Sequence, residues 1–147
     1  MYERILLPTD GEQGVKQATD HALGLARAVG ATVHVLYVVD ETVYGAYSGD
    51  EFVQEHEGPQ AALEEHGNDT FAAVTEQAED VSIETVMRYG IPAEEIVTAA
   101  DKLDVDLIVL GSRSRSGEFR RLLGSVTDQV LRVTDRPVTV VKTEAKS

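Results

Sequence analysis

The side chains best suited to chemistry lie in the stretch Gly111-Ser-Arg-Ser-Arg-Ser-Gly-Glu-Phe-Arg-Arg-Leu-Leu-Gly-Ser125, which follows the apolar run Leu107 to Leu110. Arg113, Arg115, Arg120 and Arg121 fall within nine positions of one another, interleaved with hydroxyls and framed by Gly111, Gly117, Gly124 and Ser125. A polar loop between the end of a strand and the start of a helix sets free backbone N–H groups beside guanidinium groups. That combination suits an anion, and phosphate is the first candidate, because a guanidinium can hold it through two charge-assisted hydrogen bonds. The competing use of any single arginine is an ion pair with a carboxylate on a neighbouring helix.

Other chemistries are poorly represented. No G-x-G-x-x-G fingerprint follows the first apolar run and no G-x-x-x-x-G-K-[ST] loop occurs, so a phosphate site here is of neither standard kind. His21, His34, His56 and His66 show no metal-ligand spacing, and no metal site is expected; His34, between Val33 and Val35, reads as a half-buried structural residue. Ser125 lacks the G-x-S-x-G context of a nucleophile and reads as a helix cap or a phosphate donor. Asp104 and Asp106 read as a solvated loop. Asp10, just past the first strand, can accept hydrogen bonds from a base or ribose, or meet a divalent ion through phosphate; the alternative is that it caps the next helix. No nucleophile and general base can be placed beside the phosphate loop, so no catalytic residue is assigned and a true enzyme such as a hydrolase is not expected.

The chain of 147 residues carries 13 basic and 26 acidic side chains, a formal net charge of -13, and no cysteine. Disulfides and cysteine-held zinc are therefore excluded, and a polyanion such as nucleic acid would be repelled over most of the surface. No secretory segment and no apolar run long enough to span a membrane is evident, which predicts a cytoplasmic protein with no membrane partner. Nine arginines against four lysines, with the acidic excess spread along the chain, suit a high-salt cytoplasm and suggest a halophilic source.

Stepping along the chain, apolar strands are predicted at 3–9, 32–39, 81–88, 107–110 and 138–142. Helices are predicted at 12–29, from Pro59 to about 78 with a weak middle at Gly67-Asn68-Asp69, from Pro92 to about 103, and up to about Val133. Expected helix-face residues include Val15, Ala18, Ala22, Leu25, Ala26 and Val29 in the first helix and Val126, Val130 and Val133 in the last. Residues 40–58 form a long acidic connection that reads as a flap or a solvated insertion. Strands alternating with helices, without hairpin signals, predict a single α/β domain over residues 1–147, doubly wound, with five parallel strands and helices on both faces. Ligands of such sheets sit outside the carboxyl ends of the strands, where the winding reverses.

Gly111-Ser-Arg-Ser114, nine further residues and Gly124-Ser125 resemble the G-x-x-G-x9-G-[ST] nucleotide-binding signature of the universal stress protein family, with serine in place of the second glycine at Ser114. The likeness extends from Ile5-Leu-Leu-Pro-Thr-Asp10 to Pro137-Val-Thr-Val-Val141. It implies strand order 3-2-1-4-5 (an adenine nucleotide alpha hydrolase-like sheet) and a stress-response protein that binds ATP or a related adenine nucleotide, with Mg²⁺ or Mn²⁺, as a switch or chaperone-like module. By the same resemblance Pro8, Thr9 and Asp10 line the base and ribose side and the Val38 backbone touches adenine. Gly111, Ser112, Arg113, Ser114 and Arg115 wrap the ribose and phosphates, and Gly124, Ser125 and Val126 donate to phosphate. It also implies a homodimer paired through the last strand. Ser114 keeps a second reading open, an interaction module of the same fold that binds no nucleotide.

Overall fold

The computed structural model describes residues 2–10, 15–41, 58–112 and 125–142. Five strands, β1 (Arg4–Thr9), β2 (Thr32–Asp40), β3 (Ser82–Gly90), β4 (Leu107–Ser112) and β5 (Val138–Lys142), form one parallel sheet in the order β3-β2-β1-β4-β5. Four helices are described: α1 (Val15–Val29), α2 (Pro59–Ala78), α3 (Pro92–Leu103) and α4 (Ser125–Val133).

Successive residues of a strand face opposite sides of the sheet, and here both sides are covered. Ile5, Leu7, Val33, Val35, Leu107 and Val109 pack against Ala18, Ala22, Leu23 and Ala26 of α1 and Val74 and Ala78 of α2. The alternate residues Leu6, Leu36, Ile108 and Leu110 pack against Ala93, Ile96, Ala99 and Ala100 of α3 and Val130 of α4. Two-sided burial is why the central strands read as unbroken apolar runs.

Several local expectations need correction. Gly111 does not end β4: it pairs with Val141, and Ser112 pairs with Lys142. Strand β3 runs two residues past Arg88, because Tyr89 and Gly90 stay in register with Val39 and Asp40. Helix α2 passes unbroken through Gly67, which is buried against β2 and β3. Val29 and Val133, each the last residue of its helix, are exposed, while Leu23 takes a core position on α1 beside Ala18, Ala22 and Ala26. His34 is buried, not half-buried.

The Asp104 and Asp106 pair is structural. Asp106 accepts hydrogen bonds from the backbone N–H groups of Glu3 (2.7 Å) and Arg4 (3.0 Å), which hold its carboxyl below the usual carboxylate range. Asp104 adopts the left-handed conformation that closes α3, and its carboxylate accepts from Arg136 at 3.1 Å. Arg136 also donates to Asp101 (3.0 Å) and to the Val105 carbonyl (2.8 Å), fastening the lead-in of β5 to the end of α3.

Candidate functional site

The site follows from how β1 ends. The Thr32 N–H donates to the Glu3 carbonyl and the Asp106 N–H to the Arg4 carbonyl, so odd-numbered residues of β1 turn their backbone groups toward β2 and even-numbered ones toward β4. Pro8 belongs to the even set and has no N–H to give. Consistent with this, β1 pairs with β2 over six positions but with β4 only at Ile5 with Leu107 and Leu6 with Ile108. Beyond Leu6 the two central strands part, at the point where the chain's winding reverses direction.

A cleft of about 340 Å³ opens there, within the size span of small-molecule sites. Pro8, Thr9 and Asp10 line it from β1, Leu36, Tyr37, Val38 and Asp40 from β2, and Leu110 and Gly111 from β4. Helices supply the rest: Leu63 and His66 from α2, Pro92 and Ile96 from α3, and Val126 and Thr127 from the first described turn of α4. The Thr127 hydroxyl, itself buried, donates to the Gly111 carbonyl at 3.3 Å and so docks α4 beside the end of β4.

At the other side of the cleft α2 lies close on β2. A Cβ built on Gly67 would stand 2.5 Å from the Tyr37 ring and 2.7 Å from the Met87 methyl, so only glycine permits this approach. One residue earlier, His66 meets the Tyr37 ring edge to face, with centroids 5.9 Å apart, and its Nε2 lies 3.1 Å from the Asp10 carbonyl oxygen. The first turn of α3 is fixed by the Arg88 guanidinium, which donates to Glu95 at 2.6 Å.

Chemically the cleft is apolar in its walls and uneven in its polar groups. Among the described lining residues the side chains that can carry charge near neutral pH are Asp10, Asp40 and His66, with no lysine or arginine. The Asp10 carbonyl lies beside His66 of α2, and the first described turn of α4 lies beside Gly111 at the end of β4. Among the described residues no group of three or more histidine or carboxylate side chains is placed to hold a metal ion.

Of the residues singled out from sequence, Pro8, Thr9, Asp10, Val38, Gly111 and Val126 line this cleft. Ser112 is buried at the end of β4, and Ser125 is exposed at the start of α4; neither lines it. Arg113, Ser114, Arg115, Arg120, Arg121 and Gly124 lie outside the described residues, as does the connection 42–57. Sequence reasoning missed Tyr37, Asp40, Leu63, His66, Ile96 and Thr127. Leu63 and Ile96 lie within the helices predicted from Pro59 and Pro92, where an apolar residue signals only a helix face, and nothing in its spacing marked His66.

A five-stranded parallel sheet in the order β3-β2-β1-β4-β5, with helices on both faces and a cleft at its switch point, defines the class as doubly wound α/β. The chain belongs to the universal stress protein family, whose model matches residues 1–142. It is 36% identical over 151 residues to the universal stress protein MJ0531 of Methanocaldococcus jannaschii, covering 99% of this chain and 85% of that protein. Among solved structures it is similar to the protein MJ0577 of the same organism, with a TM-score of 0.82 and 29% identity over 99% of each chain. It also shares its fold with a universal stress protein from Archaeoglobus fulgidus solved in complex with dAMP, with a TM-score of 0.67 and 23% identity over 96% of this chain and 98% of that one.

Proposed function

We propose that this protein binds ATP or a closely related adenine nucleotide in the cleft between β1 and β4, and acts in stress response as a nucleotide-dependent switch or chaperone-like module. The observation that carries the reading is the parting of β1 and β4 beyond Leu6, which opens an apolar-walled cleft lined by Asp10, Asp40, His66 and the first described turn of α4. The base lies toward Tyr37, Val38 and α2, and the phosphates lie toward Gly111 and α4, where N–H groups and the helix dipole favour negative charge. The described lining lacks a cation. Arg113 and Arg115, which follow β4 directly in the sequence, are assigned that task, with the backbone from Gly111 to Ser114 and from Gly124 to Val126 completing the phosphate contacts.

A related protein of the same fold, solved with dAMP, supports an adenine nucleotide as the ligand class. Mg²⁺ or Mn²⁺ would arrive on the triphosphate, because no three-ligand metal cluster stands among the described residues. The reading places the protein in the cytoplasm as a single domain, paired into a homodimer through β5, with an acidic surface suited to high salt. No helix among the described residues is long and apolar enough to cross a membrane. Serine at 114, where the family signature has glycine, favours the second reading, an interaction module without nucleotide. Calorimetric titration with Mg-ATP separates the two: saturable binding at one site per chain supports the first, and its absence supports the second.

A further inference from the structure

We propose that His66 reads the edge of the bound base, selecting a ligand that presents a hydrogen-bond donor there over one that presents a carbonyl. The inference rests on the nucleotide reading above and assigns it a specificity residue. His66 Nε2 stands 3.1 Å from the Asp10 carbonyl oxygen, and a carbonyl only accepts, so the proton of the neutral imidazole sits on Nε2 and its Nδ1 carries a lone pair. The ring cannot turn freely to exchange these roles. Tyr37 braces it edge to face at 5.9 Å and 74°, and the helix beneath is pinned by the close approach of Gly67 to Tyr37 and Met87.

This acceptor belongs to the end of the cleft at α2, where the Asp10 carbonyl holds the ring, and Asp10 and Asp40 line the same cleft. A base seated at that end with an exocyclic amino group matches such a lining. A base with a carbonyl at the same position sets oxygen against lone pairs, and a site built to hydrogen-bond a donor discriminates strongly against an analogue that lacks it.

The test compares ATP with inosine triphosphate, whose base carries a carbonyl in place of the amino group and an N1–H in place of the N1 lone pair, and with purine riboside triphosphate, which lacks the amino group and gains no donor, using calorimetry on the wild type and on His66→Phe, His66→Ala and His66→Gln. His66 is exposed, so these variants should fold, and melting curves check this. The wild type should favour ATP over either analogue by about tenfold or more, the change expected from one mismatched hydrogen bond. His66→Phe and His66→Ala should bring the ratio close to one, chiefly by weakening ATP, with inosine triphosphate still bound. His66→Gln, which has an N–H for the Asp10 carbonyl and an oxygen acceptor, should restore most of the preference. A wild type that binds all three nucleotides equally, or a ratio unmoved in the Phe and Ala variants, overturns the role of His66 and leaves the nucleotide reading intact. A wild type that binds none of them overturns both.

Discussion

His34 is the buried titratable group that the cleft does not use. It faces Glu84 across the β2–β3 register, its side chain is 7% exposed, and neither ring nitrogen has a hydrogen-bond partner among the described residues. The Glu84 carboxylate, 3.7 Å from Nδ1, is too far to supply one. Burial pushes the imidazole below its ordinary value of 6.5; Glu84 opposes that shift and Arg4 adds to it. The unfolded chain therefore takes up a proton that the native state resists. The stability tied to neutral His34 is complete above pH 6.5 and is lost as pH falls through that value toward the lower native one. Denaturant midpoints of the wild type should drop more than those of His34→Leu between about pH 8 and about pH 5.5, so that the variant gains on the wild type as acid is added. Parallel profiles would show that His34 titrates alike in both states.

At the scale of elements, α2 shows where local propensity and tertiary packing disagree. Glycine inside a helix costs about 1 kcal/mol relative to alanine, which is why Gly67-Asn68-Asp69 reads as a weak point. In the fold the missing side chain is what lets α2 reach Tyr37. Gly67→Ala should therefore destabilise the protein, because forcing a methyl into that contact costs about 1–3 kcal/mol and outweighs the gain in propensity. Gly24, exposed on α1 with nothing within 4 Å of a built Cβ, is the matched control, and Gly24→Ala should stabilise by about 0.5–1 kcal/mol. Urea unfolding of both variants checks the opposite signs. The same contact explains what was legible in the sequence. The central strands β1, β2 and β4 could be read because burial on both faces leaves an uninterrupted apolar signal. The end of β3 could not, since an edge strand alternates weakly and Gly90 mimics a stop. Pro8, Asp10 and Gly111 stood out as strand exits, whereas His66 depends on how a helix docks onto a strand almost thirty residues earlier, and no spacing within the helix reports that.

At the scale of the whole molecule, β5 pairs among the described residues only with β4. The Ile108 N–H donates to the Pro137 carbonyl, so odd-numbered residues of β5 face β4 and Val140 turns its backbone groups to the open edge. An open, β-branched edge is a template for pairing, and a twofold copy satisfies both edges at once. Val140→Pro should thus spare the β4 ladder and convert a dimer to a monomer in sizing chromatography with light scattering; a monomeric wild type would refute the pairing. The central claim, that the cleft where β1 and β4 part holds an adenine nucleotide, is tested most directly by titrating Mg-ATP into the purified protein in high salt. The account predicts saturable binding at one site per chain. It also predicts a loss of about 1–3 kcal/mol in Arg113→Ala/Arg115→Ala, the scale of hydrogen bonds to a charged group. No saturable heat at millimolar ATP from a folded protein that carries no nucleotide as purified would contradict it.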